Sequence, residues 1–304
     1  MTTTAVKAPK PGKLMKRKDP MEIVATIVLS LFALLIAVPF YNVLVVSITG
    51  QAEYLRAGGL LLFPSQPTFD SFKRLFNNNL LWTGYRSTLT IVAIGMPMNV
   101  LLTFCMAYGL SRKGWPGRKV VFVLVLITMI FNGGIVPMYL LMKELKLLNS
   151  LWSVIFAGGM NTFYMIITKN FIESLPESLI ESAHLDGANE WTVLFRIVMP
   201  LSKPILATIV LFYAVDRWNE WYNSMIFLTT PSKFTLQLVL RNIVINSEMQ
   251  GAAASSGNVS ASGAQFSMGI KMCAVIMTML PIMCVYPFLQ KHFAKGIMVG
   301  AIKA

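Results

Sequence analysis

Side chains able to do chemistry are scarce in this 304-residue chain, and they cluster. Acids gather between residues 169 and 203, where Glu173, Glu177, Glu181, Asp186 and Glu190 stand among apolar neighbours. A second cluster is the unbroken run Asp216, Arg217, Trp218, Asn219, Glu220, Trp221, Tyr222 and Asn223. Paired carboxylates can serve acid–base catalysis, His and Cys groups can hold a metal or supply a nucleophile, and a glycine-rich loop ending in Lys-Ser/Thr can cradle phosphates. The spacing supports none of these. His184 and His292 are far apart, Cys105, Cys273 and Cys284 fall inside apolar runs at no ligand spacing, and no GxxxxGK[ST] stretch occurs. The expectation is a chain with no metal site, no catalytic residues and no cofactor of its own. Asp216 and Glu220 alone keep a membrane-embedded enzyme open as one alternative.

The elements that must position these clusters are long apolar runs. Hydrophobic residues make up 55% of the chain and charged ones 13%, against about 25% charged in soluble domains. A helix needs about 20 mainly apolar residues to cross roughly 30 Å of hydrocarbon. Six runs approach this, at 22–48, 85–110, 119–142, 151–167, 204–228 and 265–289. The pattern predicts an all-α, polytopic membrane protein with six transmembrane helices.

The net charge of +13 is distributed at helix ends rather than as a nucleic-acid-binding face. Lys7, Lys10, Lys13, Lys16, Arg17 and Lys18 precede the first run, Arg112, Lys113, Arg118 and Lys119 follow the second, and Lys291, Lys295 and Lys303 follow the last. Together with Lys169, Arg196 and Lys203, this positive-inside pattern puts both termini in the cytosol. The first run is too long for a signal-peptide core and reads as an uncleaved anchor. The predicted divisions are a basic cytosolic tail (1–21), a first helix (22–48), an outer segment broken by Gly and Pro (49–84), the main transmembrane unit (85–290) and a cytosolic C-terminal tail (291–304). Within that unit, an outer loop (229–264) is expected to hold a short helix over 235–245 and a flexible Gly/Ala/Ser/Asn tract over 251–263.

The acidic segment cannot cross lipid, because each charge at a helix centre costs about 2.5–3.5 kcal/mol. It reads as a cytosolic hairpin over about 171–203. Ser174 is expected to cap a helix whose Glu177 reaches back in a capping box, with Pro176 in the first turn. Leu179, Ile180 and Ala183 share one face, Asp186-Gly187 signals a turn, and Asn189 with Glu190 starts a second helix that closes at Met199-Pro200. Such a shape suits docking into a partner's groove.

Glu181-Ser182-Ala183, then Gly187, then Ile197 and Met199-Pro200, resembles the EAA motif, E-A-A-x3-G-x9-I-x-L-P, of importer permeases in the ATP-binding cassette (ABC) superfamily. Ser182 and Met199 stand where the motif usually has Ala and Leu. The resemblance implies a type I ABC importer permease fold, in a bacterial cytoplasmic (inner) membrane, with Glu181, Ser182, Ala183, Gly187, Ile197 and Pro200 coupling the chain to an ATPase. The implied partners are a second homologous permease in a heterodimer, two ABC ATPase subunits that bind the ATP and Mg, and an extracytoplasmic solute-binding protein. Beyond the motif, residues 135–139, 145–151 and 218–220 look like the second permease of maltose-type systems. The ending, 286–301, is similar to a subgroup associated with polysaccharide fragments, including pectin- and alginate-type oligosaccharides. The implied substrate is a sugar or oligosaccharide, moved by alternating access. An ion-coupled secondary carrier and an ABC permease for a non-sugar solute are the alternatives.

Two readings of the second cluster stay open. Helical spacing would stack Trp218 over Tyr222 and Asn219 over Asn223, and bring Asp216 beside Glu220. Aromatic faces beside amides and carboxylates suit a sugar's C–H faces and hydroxyl rims. The same residues also suit an interfacial aromatic belt with an Arg217–Glu220 helix pair that holds the subunits together. Asn132 beside Gly133-Gly134, and Asn161 near Gly158-Gly159, either break their helices beside the pathway or serve helix packing. The substrate-pathway candidates are thus Asn132, Asn161, Trp218, Asn219, Glu220, Tyr222 and Asn223. Lys271, near the end of the last run, is expected to snorkel.

Overall fold

A computed structural model describes residues 20–58, 61–255 and 268–284. The basic N-terminal tail, most of the flexible tract of the outer loop, the ends of the last apolar run and the C-terminal tail lie outside the described residues. What is described is helical, apart from a single bridge between Thr49 and Pro67.

The first helix, α1 (Pro20–Ser47), is apolar on every side and has none of its apolar window buried. A helix hydrophobic all round belongs in lipid or against another apolar surface. Val45, Val46 and Ser47, at its end, are the residues sunk into the bundle. The outer segment folds into α2 (Gln51–Arg56) and α3 (Asp70–Phe76).

The spine is α4 (Asn79–Ser111), 33 residues and therefore about 50 Å long. Near its start, Tyr85 donates to the Met277 carbonyl at 2.9 Å and packs on Trp218. Near its end, Tyr108 donates to Glu190. The two clusters found in the sequence therefore sit at opposite ends of the spine.

The remaining helices depart from six straight spans. The predicted third span divides into α5 (Arg118–Ile130) and α6 (Ile135–Glu144), bent by 112°. The fourth divides into α7 (Leu151–Ala157) and α8 (Thr162–Glu173), bent by 53°. The breaks carry the asparagines: Asn132 accepts from Gly134 N–H at 2.9 Å, and Asn161 accepts from Phe163 N–H at 2.9 Å as the cap of α8. Both asparagines thus lie at helix breaks.

After the hairpin helices α9 (Glu177–Leu185) and α10 (Glu190–Leu201), the chain turns 88° into α11 (Lys203–Trp218). The predicted fifth span thus stops at Trp218, and α12 (Tyr222–Phe227) is a separate short helix. The outer-loop helix α13 (Leu236–Ser255) is longer than expected and runs into the Gly/Ala/Ser tract. The described part of the last run is α14 (Met268–Cys284). Among the described residues two helices are long and apolar enough to span a membrane, and up to five spans result if each bent pair is one. The count of six is not confirmed among the described residues: Gly and Asn at positions 132–134 and 158–161 bend two of the apolar runs, and the ends of the last run lie outside the described residues.

Candidate functional site

At the far end of α4 the hairpin is built mostly by local chemistry. Helix α9 ends in a Schellman motif: Gly187 sits at φ +82°, its N–H donates to the His184 carbonyl at 3.0 Å, and Ala188 N–H donates to the Ala183 carbonyl at 2.9 Å. Glycine takes this left-handed conformation without the Cβ clash that other residues meet. Asn189 caps the next helix by accepting from Thr192 N–H at 2.8 Å. In α10 the turn from Val193 to Val198 widens to a π-helix, so that Met199 N–H reaches back to Leu194. The wider turn gives room to the Pro200 ring, which in a regular helix would press on the carbonyl of Arg196.

The capping box is not formed. Ser174 instead ends α8, its hydroxyl donating to the Phe171 carbonyl, and Pro176 occupies the cap position of α9. The Glu177 carboxylate that would have reached back instead pairs with Lys113 at 3.2 Å, and nearby Glu173 pairs with Lys169 at 2.8 Å and with Arg118. The box cannot form because Ser174 closes α8 in a helical conformation and its own N–H already donates to the Phe171 carbonyl at 3.0 Å, which leaves Glu177 no local donor to reach back to.

The motif residues divide by face. Ala183 and Ile197, with Ile180, Leu194 and Val198, pack into the core formed by α4, α8 and α11. Glu181, Ser182, Leu185 and Pro200 face outward, Leu185 with 89% of its surface exposed. Among the described residues Glu181 has no ion pair. On α10, Trp191 and Phe195 stack with ring centroids 6.0 Å apart, and both are exposed. A hairpin fixed at its turn, with an exposed carboxylate on one helix and exposed apolar and aromatic side chains along both, has the surface to dock with a partner.

At the middle of the bundle lies a polar belt that the sequence reading did not assemble. Arg217, buried, donates to the carbonyls of Val154 (2.9 Å), Ile155 (2.7 Å) and Gly158 (2.8 Å) and to Asn99 Oδ1 (3.0 Å). It thereby satisfies the carbonyls left open where α7 ends. Beside it, Tyr213 Oη bonds Thr103 at 2.6 Å and accepts from Asn161 N–H at 3.0 Å, and Tyr164 donates to Asp216 at 3.0 Å. Asn99 and Thr103, one turn apart in an apolar run, were the available sequence signal. The expected Arg217–Glu220 pair is absent among the described residues, because the guanidinium is turned to the end of α7 and to Asn99.

The helical stacking expected over 216–223 is also absent, because the helix ends at Trp218. Trp218 Nε1 donates to the Thr278 carbonyl at 3.3 Å and its ring packs on Tyr85, tying α11 to α14. Asn219 caps α11 through the Val215 carbonyl and accepts from Gln237 at 3.4 Å. Glu220 accepts from Asn223 N–H (3.0 Å) and Nδ2 (2.8 Å), which caps α12. Asn219, Trp221 and Tyr222 are exposed, with Glu220 and Asn223 half-buried. Asn132 lies at the separate α5–α6 break.

Bent apolar helices joined by a buried polar belt, with one acidic hairpin projecting from an end, define a membrane-embedded permease. The sequence profile described as "binding-protein-dependent transport system inner membrane component" matches residues 15–299, and the chain belongs to this family. It is thus an integral inner-membrane component of a transport system, and members of the family are transport permeases rather than enzymes.

Relatives include the polygalacturonan/rhamnogalacturonan transport system permease protein YtcP of Bacillus subtilis, 38% identical over 276 residues, covering 90% of this chain and 95% of that one. The maltodextrin transport system permease protein MdxG of Bacillus subtilis is 29% identical over 248 residues, covering 79% of this chain and 82% of that one. Among solved structures, a chain of a bacterial ABC transporter involved in the import of the acidic polysaccharide alginate matches with a TM-score of 0.79 and 30% identity, over 90% of this chain and 96% of that one.

Proposed function

We propose that this chain is one of two homologous permeases in an ATP-driven importer of a sugar or oligosaccharide, including polysaccharide fragments. Its hairpin docks on the cytosolic ATPase. The observation that carries the reading is the split of the EAA-type motif: Ala183 and Ile197 anchor the hairpin to the bundle while Glu181, Ser182 and Leu185 are left facing outward. A rigidly anchored, outward-facing helix transmits a partner's closure into α4, α8 and α11, the helices it packs on. Support for a carbohydrate comes from the relatives, whose names specify oligosaccharide and polysaccharide transport.

In this reading two ABC ATPase subunits bind ATP and Mg, this chain binds neither, and an extracytoplasmic binding protein delivers the sugar at the end of α4 opposite the hairpin. Both termini then lie in the cytosol. ATP-driven closure of the ATPases draws the docked hairpins together and turns the cavity outward, and hydrolysis reverses it. The exposed residues beyond α11, Asn219 and Tyr222, are the pathway candidates best placed to meet substrate, whereas Trp218 acts through packing.

The test is co-purification of the complete complex with uptake of labelled oligosaccharide. Glu181→Lys is expected to lower ATPase recovery with the permease and to abolish uptake while membrane insertion stays normal. Full ATPase recovery and full uptake with that variant would remove the hairpin as the coupling element.

A further inference from the structure

Helix α13 places one exposed arginine where the pathway candidates end. The Arg241 guanidinium carbon lies 4.6 Å from the centroid of the Trp221 ring, and its Nη1 is 3.6 Å from the Met225 sulfur. The Trp221 ring in turn stands edge-to-face against Tyr222, centroids 5.7 Å apart. One turn before Arg241 on the same helix, Gln237 bonds Asn219. Among the described residues no carboxylate pairs with Arg241. The nearest acid in sequence to Trp221, Glu220, is bound twice by Asn223 and capped into α12.

A guanidinium stacked on an aromatic ring keeps its N–H edge available to an anion. Here the aromatic face fixes the guanidinium plane while leaving its N–H groups without an acidic acceptor, and amides stand beside it. Cation, aromatic faces and amides together match an anionic sugar: the guanidinium fork takes a carboxylate through two parallel hydrogen bonds, the rings take C–H faces, and the amides take hydroxyls.

We propose that Arg241, held on Trp221, is a subsite for the carboxylate of a uronic-acid unit in the transported oligosaccharide. The proposal rests on the carbohydrate-importer reading and deepens it by assigning the charge of the substrate. Arg241 selects acidic over neutral oligosaccharides of the same shape. It does so at the end of the bundle away from the hairpin, so its loss leaves ATPase docking untouched.

The experiment uses the complete complex, reconstituted in zwitterionic vesicles, with trigalacturonate, its neutral trimethyl ester and a neutral maltotriose as probes. Wild type is expected to take up trigalacturonate at least about tenfold better than the ester. Arg241→Gln should erase that preference, Arg241→Lys should retain part of it, and both variants should co-purify with the ATPase normally. Equal uptake of acid and ester by wild type, or a preference that survives Arg241→Gln, overturns the subsite. Uptake of maltotriose alone overturns it while leaving the carbohydrate reading intact, whereas uptake of no saccharide overturns both. A defect of Arg241→Gln that is equal for all probes and appears only in vesicles containing phosphatidylglycerol would assign Arg241 to a lipid headgroup and overturn it as well.

Discussion

The hairpin α9–α10 and the broken helix α7–α8 both turn the chain sharply inside ten residues or so, yet they are held in different ways. The hairpin turn closes on itself, through Gly187, Ala188 and Asn189 bonding residues within five positions. At the α7–α8 break Asn161 caps α8 locally, but the open carbonyls at the end of α7 are closed from a distance, by Arg217 about sixty residues downstream and by Asn99 about sixty upstream. A locally closed turn keeps its shape without recruiting its outer face, which stays free to meet another molecule. A turn closed by one buried guanidinium is a joint of the bundle, and its loss exposes several unpaired carbonyls together.

The sharpest way to break that comparison is Arg217→Ala, which leaves the carbonyls of Val154, Ile155 and Gly158 without their shared donor. It should destabilise the bundle by about 3–5 kcal/mol, read as a lower unfolding temperature of the detergent-solubilised complex. A Cβ at Gly158 would lie 2.8 Å from Arg217 Nη1, so Gly158→Val should cost a smaller but similar loss by pushing the guanidinium off the break. If either variant unfolded like wild type, Arg217 would not be the joint.

Gly187→Val probes the other side. A Cβ there meets open space, so the cost is backbone strain alone, about 1–2 kcal/mol at φ +82°. Insertion and overall unfolding should change little, while ATPase activity stimulated by loaded binding protein falls. Glu181→Lys should change stability by no more than about 0.5 kcal/mol, because the side chain is exposed and has no ion pair among the described residues; a stability loss as large as that of Arg217→Ala would show the hairpin to be another joint.

The smallest effect belongs to a third turn, in the outer segment. Glu53 accepts from the Ser65 and Gln66 N–H groups, and the Ser65 N–H is the main cause holding its carboxyl below the ordinary 4.5. A depressed folded-state value means that the tie is present above the ordinary value and is lost as pH falls through the depressed one. Hydrogen exchange at residues 65–66 should therefore quicken on acidification in wild type and be fast and pH-flat, after correction for intrinsic rates, in Glu53→Gln.

How much was legible follows the same division. Glycine at 187, asparagine at 189 and the apolar spacing of Ile180 and Ala183 dictate the hairpin because their effects reach only a few residues along the chain. The apolar runs likewise announced a polytopic membrane protein, since burial in hydrocarbon depends on composition over about 20 residues. Tertiary structure alone decided the rest. Glu177 turned from cap to ion pair because Lys113 came within 3.2 Å, and Arg217 left Glu220 for the end of α7. Trp218 became a packing residue because α14 offered the Thr278 carbonyl, and Arg241 met Trp221 because α13 folded back over the end of α11. Each of these is a choice among several possible partners, and it is made by which of them the fold brings within contact distance.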